Sequence, residues 1–155
     1  MYIRSIFSSL ITLLLFVSCT EEETINQNDH LIFGTYFGFC IGNCAHLYKY
    51  ENEQVFSDVV DRFTLDALIF SDDPEPDLVD TARELADNFP RVLLNSDQET
   101  YGCPDCADQG TIFLQRKIDD QIRSWFIDTR VQDDWPKELK EYHTLLKSKI
   151  DGLIQ

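Results

Sequence analysis

Thr111-Ile-Phe-Leu-Gln-Arg-Lys-Ile118, then Asp119-Asp120, then Gln121-Ile-Arg-Ser-Trp-Phe-Ile-Asp128, is the stretch that decides the fold. Both arms are rich in β-branched and aromatic residues, which pack well on a pleated surface. The two aspartates between them supply turn chemistry. Side chains alternate faces along a strand. Ile112, Leu114 and Ile118 therefore share one face and Gln115 and Lys117 the other, with Arg116 breaking the apolar side. The stretch predicts an antiparallel hairpin.

Working outward, Ala45–Tyr50 and Gln54–Val59 flank Glu51-Asn-Glu53 and predict a second hairpin region. His30–Phe39 reads as a buried strand with a close backbone approach or a bulge at Gly34 or Gly38. Within Val60–Ser71, the run Leu65–Phe70 fits either a strand or a short helix. Asp72-Asp73-Pro74-Glu75-Pro76-Asp77 reads as a helix start, because proline suits a first turn and acidic residues favour the positive end of the helix dipole. Leu78, Ala82, Leu85 and Phe89 then form one apolar helical stripe, and Pro90 ends the helix near Asn88. Val92–Leu94 reads as a short apolar run entering a strand. Pro136 opens a last helix with a stripe of Leu139, Tyr142, Leu146, Lys149 or Ile150, and Leu153. The expected fold class is α+β: an antiparallel sheet built from two hairpin regions, with two helices packed on one face, as a single domain over residues 30–155.

The 155 residues suffice for one domain, and 43% apolar composition suffices for a core. Thirteen basic against 28 acidic residues leave a net charge of −15, which repels phosphate backbones and excludes nucleic acid as a partner. No P-loop, G-x-G-x-x-G, H-E-x-x-H or G-x-S-x-G occurs.

The chain begins Met-Tyr-Ile-Arg4 and continues into an apolar run from Ile6 to Val17, interrupted by Ser8, Ser9 and Thr12. That run is shorter than the roughly 20 residues a membrane-spanning helix needs. It reads as a secretory signal peptide over residues 1–18. Phe16-Val17-Ser18-Cys19 resembles the bacterial lipobox, with Phe16 in place of the usual leucine. The resemblance implies cleavage before Cys19 and lipidation of that cysteine, an anchor that holds a protein to the membrane. Residues 19–29 then form an acidic tether. Its start, Cys-Thr-Glu-Glu-Glu23, resembles the export signal of surface lipoproteins of the Bacteroides–Flavobacterium group. The expected location is the bacterial outer membrane, displayed on its outer face, with the inward face as the alternative.

The layout as a whole is similar to small secreted lipoproteins of that group carrying domains of unknown function. Phe37-Gly38-Phe39-Cys40, Cys44, Tyr48, Gly102-Cys103-Pro104-Asp105, Asp108 and Trp125–Asp128 carry the likeness, which spans most of residues 31–153. It implies fold and location and brings no activity.

Four further cysteines form two close pairs, Cys40-x-x-x-Cys44 and Cys103-x-x-Cys106. Three readings stand. An oxidising compartment and an even count favour disulfides, of which four cysteines allow three connectivities. A cross-link between the pairs would close a loop of about 60 residues and contribute about 4 kcal/mol. Two short pairs brought together would also suit a four-thiolate zinc site. Cys103-Pro-Asp-Cys106 resembles a thioredoxin-type redox site, but Ala107–Gly110 leads into a strand and not a long helix, and Asp105 and Asp108 oppose a thiolate.

The carboxylates Asp72, Asp73, Glu75, Asp77 and Asp80 lack the spacing of a calcium loop and read as a solvated helix start. His46 and His143 each stand alone. The leading reading is a lipid-anchored envelope or surface protein without enzymatic activity or cofactor. It binds the membrane through its lipid and acts as a binding module, with an envelope protein as the expected partner. The alternative is an envelope thiol–disulfide or zinc-binding protein using Cys40, Cys44, Cys103 and Cys106.

Overall fold

The computed structural model describes residues 29–153. The signal peptide, Cys19 and all of the tether except Asp29 lie outside the described residues. Strand β1 (His30–Tyr36) joins the two hairpin regions: it pairs antiparallel with β2 (Ala45–Glu51) on one side and β6 (Thr111–Ile118) on the other. With β3 (Gln54–Asp58), β4 (Phe70–Pro74), β5 (Thr100–Tyr101) and β7 (Gln121–Asp128), the sheet runs β4-β3-β2-β1-β6-β7-β5. Every pairing is antiparallel except β5 with β7. The fold is α+β, as the sequence predicts.

Both hairpins close on two-residue turns, Asn52-Glu53 and Asp119-Asp120. All four residues take positive φ, at 52°, 59°, 50° and 66°. This backbone twists with the flanking strands, and asparagine and aspartate adopt it readily. At the sheet centre, Gly34 lies opposite Leu47 and Phe113 with φ +151°, and a Cβ there would stand 2.0 Å from the His46 carbonyl oxygen. Close backbone approach explains this glycine, and the register through it is unbroken, so there is no bulge.

One face of the sheet carries Leu31, Phe33, Val55, Ile112, Leu114, Trp125 and Ile127. They pack on α1 (Val79–Asp87), α2 (Arg91–Leu94) and α3 (Lys137–Leu153) through Ala82, Leu85, Leu93, Leu139, Tyr142, Leu146 and Ile150. Burying each larger apolar side chain contributes roughly 1.5–3 kcal/mol, so this layer dominates stability. The opposite face buries the smaller cluster Ile32, Leu47 and Phe113, under Phe63, Leu68 and Phe70, and Tyr36 stacks on Phe63 at 4.0 Å.

Two local expectations are corrected, and one strand is added. Asp72-Asp73-Pro74 belongs to edge strand β4, where Pro74 pairs with Phe56, and the chain turns helical only from a 3-10 turn at Pro76–Leu78. Charges and a proline on an exposed edge also block pairing with other chains. Val92–Leu94 is helical, not a strand. Pro90 sets the entry, the Glu138 carboxylate accepts the Arg91 and Val92 N–H groups, and Leu93 is fully buried. Strand β5 carries no repeating pattern, being two residues long.

The register sorts the connections by end. Beyond Tyr36 lie residues 37–44, 59–69, 102–110 and 129–136. At the opposite end lie both hairpin turns and Asp29, where the tether joins.

Candidate functional site

All four described cysteines stand at the end of the sheet away from the tether. Their sulfurs pair locally at disulfide distance, Cys40 with Cys44 and Cys103 with Cys106, with Cα separations of 5.7 and 5.5 Å. No sulfur of one pair meets the other pair. Among the described residues, no group of three or more histidine, cysteine, aspartate or glutamate side chains is gathered for a metal. The two cysteine loops nevertheless touch through Asp105. Its carboxylate accepts N–H bonds from Gly38 at 3.0 Å and Gly110 at 3.1 Å, and its own N–H donates to the Gly110 carbonyl.

Cys103-Pro-Asp-Cys106 forms a turn between β5 and β6 and opens no helix. A helix N-terminus, the usual source of a stabilised thiolate, is therefore not supplied to either sulfur. Both cysteines are solvent-exposed.

Beside this turn, the end of β7 places Asp128, 1% exposed, as a junction. Oδ1 accepts from Gln109 Nε2 at 2.9 Å and the Arg130 N–H at 2.9 Å. Oδ2 accepts from the Cys103 N–H at 3.1 Å and Gln132 Nε2 at 3.4 Å. The carboxylate thus ties the Cys103–Cys106 turn to the 129–136 segment. His143 Nε2–H donates to the Asp128 carbonyl at 3.0 Å, and Trp135 packs edge-on against its ring at 5.5 Å. The cleft outside Asp128, lined by Gln98, Arg130, Gln132 and Trp135, holds about 470 Å³. The sequence does not single out Asp128 as a site residue, because its partners lie up to 25 residues away and no spacing marks them.

The same end exposes apolar side chains. Phe39, just before Cys40, is 86% exposed and Ile41, inside the Cys40–Cys44 loop, fully so, and Val59 and Ile69 emerge from the neighbouring segment. The Cys44 N–H donates to the Asp61 carbonyl and the Phe37 N–H to the Cys44 carbonyl, which fixes the loop against that segment. The carboxylates between Asp72 and Asp80 do not converge: Glu75 accepts from Ser57, Asp80 pairs with Arg83, and Asp72 and Asp73 sit on β4. His46 lies half-buried on β2, His143 in the core.

No family model matches the chain, and no curated protein matches it.

Proposed function

We propose that this is a lipid-anchored protein of a bacterial outer membrane, displayed on its outer face, whose one α+β domain is a non-enzymatic binding module. The carrying observation is the exposure of Ile41 within the Cys40–Cys44 loop, and of Phe39 just before it, at the end opposite the tether. Large apolar side chains held out rigidly are the usual mark of an interaction site. The tether joins before β1 and the loop follows it, so seven residues of strand, about 24 Å, carry the loop further from the anchored end. Asp61, Asp66 and Asp108 are exposed in the segments at that end, which suits a partner protein with an apolar pocket and a basic rim.

Two measurements test this. Radiolabelled palmitate is expected in the wild-type chain and absent from Cys19→Ala, which leaves the membrane fraction. A photocrosslinker at position 41 is expected to trap one envelope protein, and Phe39→Ser/Ile41→Ser is expected to abolish binding to that purified partner. A cytosolic, unlipidated chain, or a partner indifferent to the double substitution, overturns the reading. The exposed Cys103–Cys106 pair favours a second reading as a thiol–disulfide protein. Insulin reduction lost in Cys103→Ala would put that reading first, and one bound zinc per chain would favour the metal alternative.

A further inference from the structure

Away from the cysteine end, the helical layer covers an uncommitted arginine. Arg116 and Arg123 stand directly opposite each other on β6 and β7, both on the face that packs against helices. Like charges so placed repel, and this chain has few basic residues to spare. Arg123 is satisfied: its guanidinium donates to the Leu94 carbonyl at 2.6 Å and to the Ser96 carbonyl, and lies over the Trp125 ring. Arg116 is not. Among the described residues no carboxylate lies within ion-pair distance of it, and its guanidinium lies over the Phe89 ring at 5.5 Å.

Two more polar groups surround the same ring. Trp125 and Tyr142 pack on Phe89 at 5.4 and 5.6 Å, and they are 0% and 3% exposed. Among the described residues, five buried side-chain polar atoms lack a hydrogen-bond partner. Three of them are Arg116 Nε, Trp125 Nε1 and Tyr142 OH. All three carry a hydrogen to donate. Burial pushes the Tyr142 phenol above its ordinary value against the pull of the Arg116 charge, so it stays protonated. Buried donors without acceptors are costly, and three around one ring call for a shared acceptor.

Phe89 and Tyr142 also line a cleft of about 500 Å³ between the α1–α2 joint and α3, a size suited to a small molecule. Phe89 is half-buried, lines this cleft beside Tyr142, and packs against Arg116 and Trp125, which do not line it. At the cleft mouth Asp87, Glu138 and Glu141 outnumber Arg91. The rim is therefore net negative, while the side chains packed on Phe89 bring one positive charge and three donors. We propose that this cleft binds a small amino-acid-like zwitterion. Its carboxylate reaches Arg116, Trp125 and Tyr142 once the Phe89 ring swings aside, and its ammonium group faces the acidic rim. The site is separate from the exposed cysteine loop and stands or falls independently of it.

The test follows the two indole N–H signals of the ¹⁵N-labelled full chain in detergent micelles. Millimolar L-alanine is expected to shift the Trp125 signal saturably and leave Trp135 in place. Acetate is expected to bind more weakly, and methylammonium not at all. Arg116→Gln is expected to weaken alanine binding by about tenfold to a hundredfold, the loss of one charge-assisted bond. Tyr142→Phe is expected to weaken it while leaving the melting temperature equal or higher, because the substitution deletes an unpaired buried hydroxyl. A merely structural tyrosine gives that stability result with no change in binding. The proposal is overturned by a Trp125 signal indifferent to alanine and acetate. Binding unaltered in Arg116→Gln and Tyr142→Phe, or acetate binding as tightly as alanine, overturns it equally.

Discussion

His143 shows how one side chain couples the helical layer to the candidate site. Burial holds its imidazole below the ordinary value of 6.5, and the bond to the Asp128 carbonyl only partly offsets this. The folded chain takes up that proton at lower pH than the unfolded chain. The stabilising contribution is therefore complete above about pH 6.5 and is lost as pH falls below it. The thermal midpoint is expected to drop between about pH 7 and pH 5, and His143→Gln is expected to flatten that drop. A slope unchanged by the substitution would assign the titration elsewhere. In the sequence His143 is a lone histidine on the last helix, next to Tyr142. Its role depends on Asp128 and Trp135, which only the fold brings to it.

At the scale of elements, legibility tracked the range of the interactions. The two hairpins were readable because their turn residues and alternating faces are local, and the register follows from both. The stripe Leu78, Ala82, Leu85, Phe89 was readable for the same reason. Helix α2 was not, because the Glu138 carboxylate that caps it lies more than 40 residues away. The cysteine pairing was open in the sequence and is local in the fold. Replacing Cys103 and Cys106 together by alanine is expected to cost about 2 kcal/mol in urea unfolding, the chain-entropy value for so short a loop. A cost near about 4 kcal/mol would instead mean that these cysteines close a long loop between the pairs.

For the whole molecule, the dominant electrostatic fact is net charge. Apart from Arg130 with the buried Asp128, the ion pairs among described residues are contacts at or near the surface such as Glu53–Arg83 and Lys137–Glu141, each worth little. Self-repulsion at −15 is the larger effect. Raising salt from about 10 to about 150 mM shortens the screening length from about 30 to about 8 Å and is expected to raise the melting temperature. A fall would show that attractive pairs outweigh the repulsion. The same charge makes the pairing of Arg116 over Phe89 with Arg123 over Trp125 stand out, a feature invisible in composition.

The sequence by itself determined the class of fold, the hairpins and their turns, the two long helices and the acidic charge, because each rests on periodicity or on residues adjacent in the chain. Only the tertiary structure decided that β1 joins the hairpins and that the cysteines pair locally at the end away from the tether. It alone placed Asp128 at a junction of loops and surrounded Phe89 with unpaired donors. Those features are made by contacts between residues far apart in sequence, whose energies depend on burial and distance and leave no periodic trace along the chain.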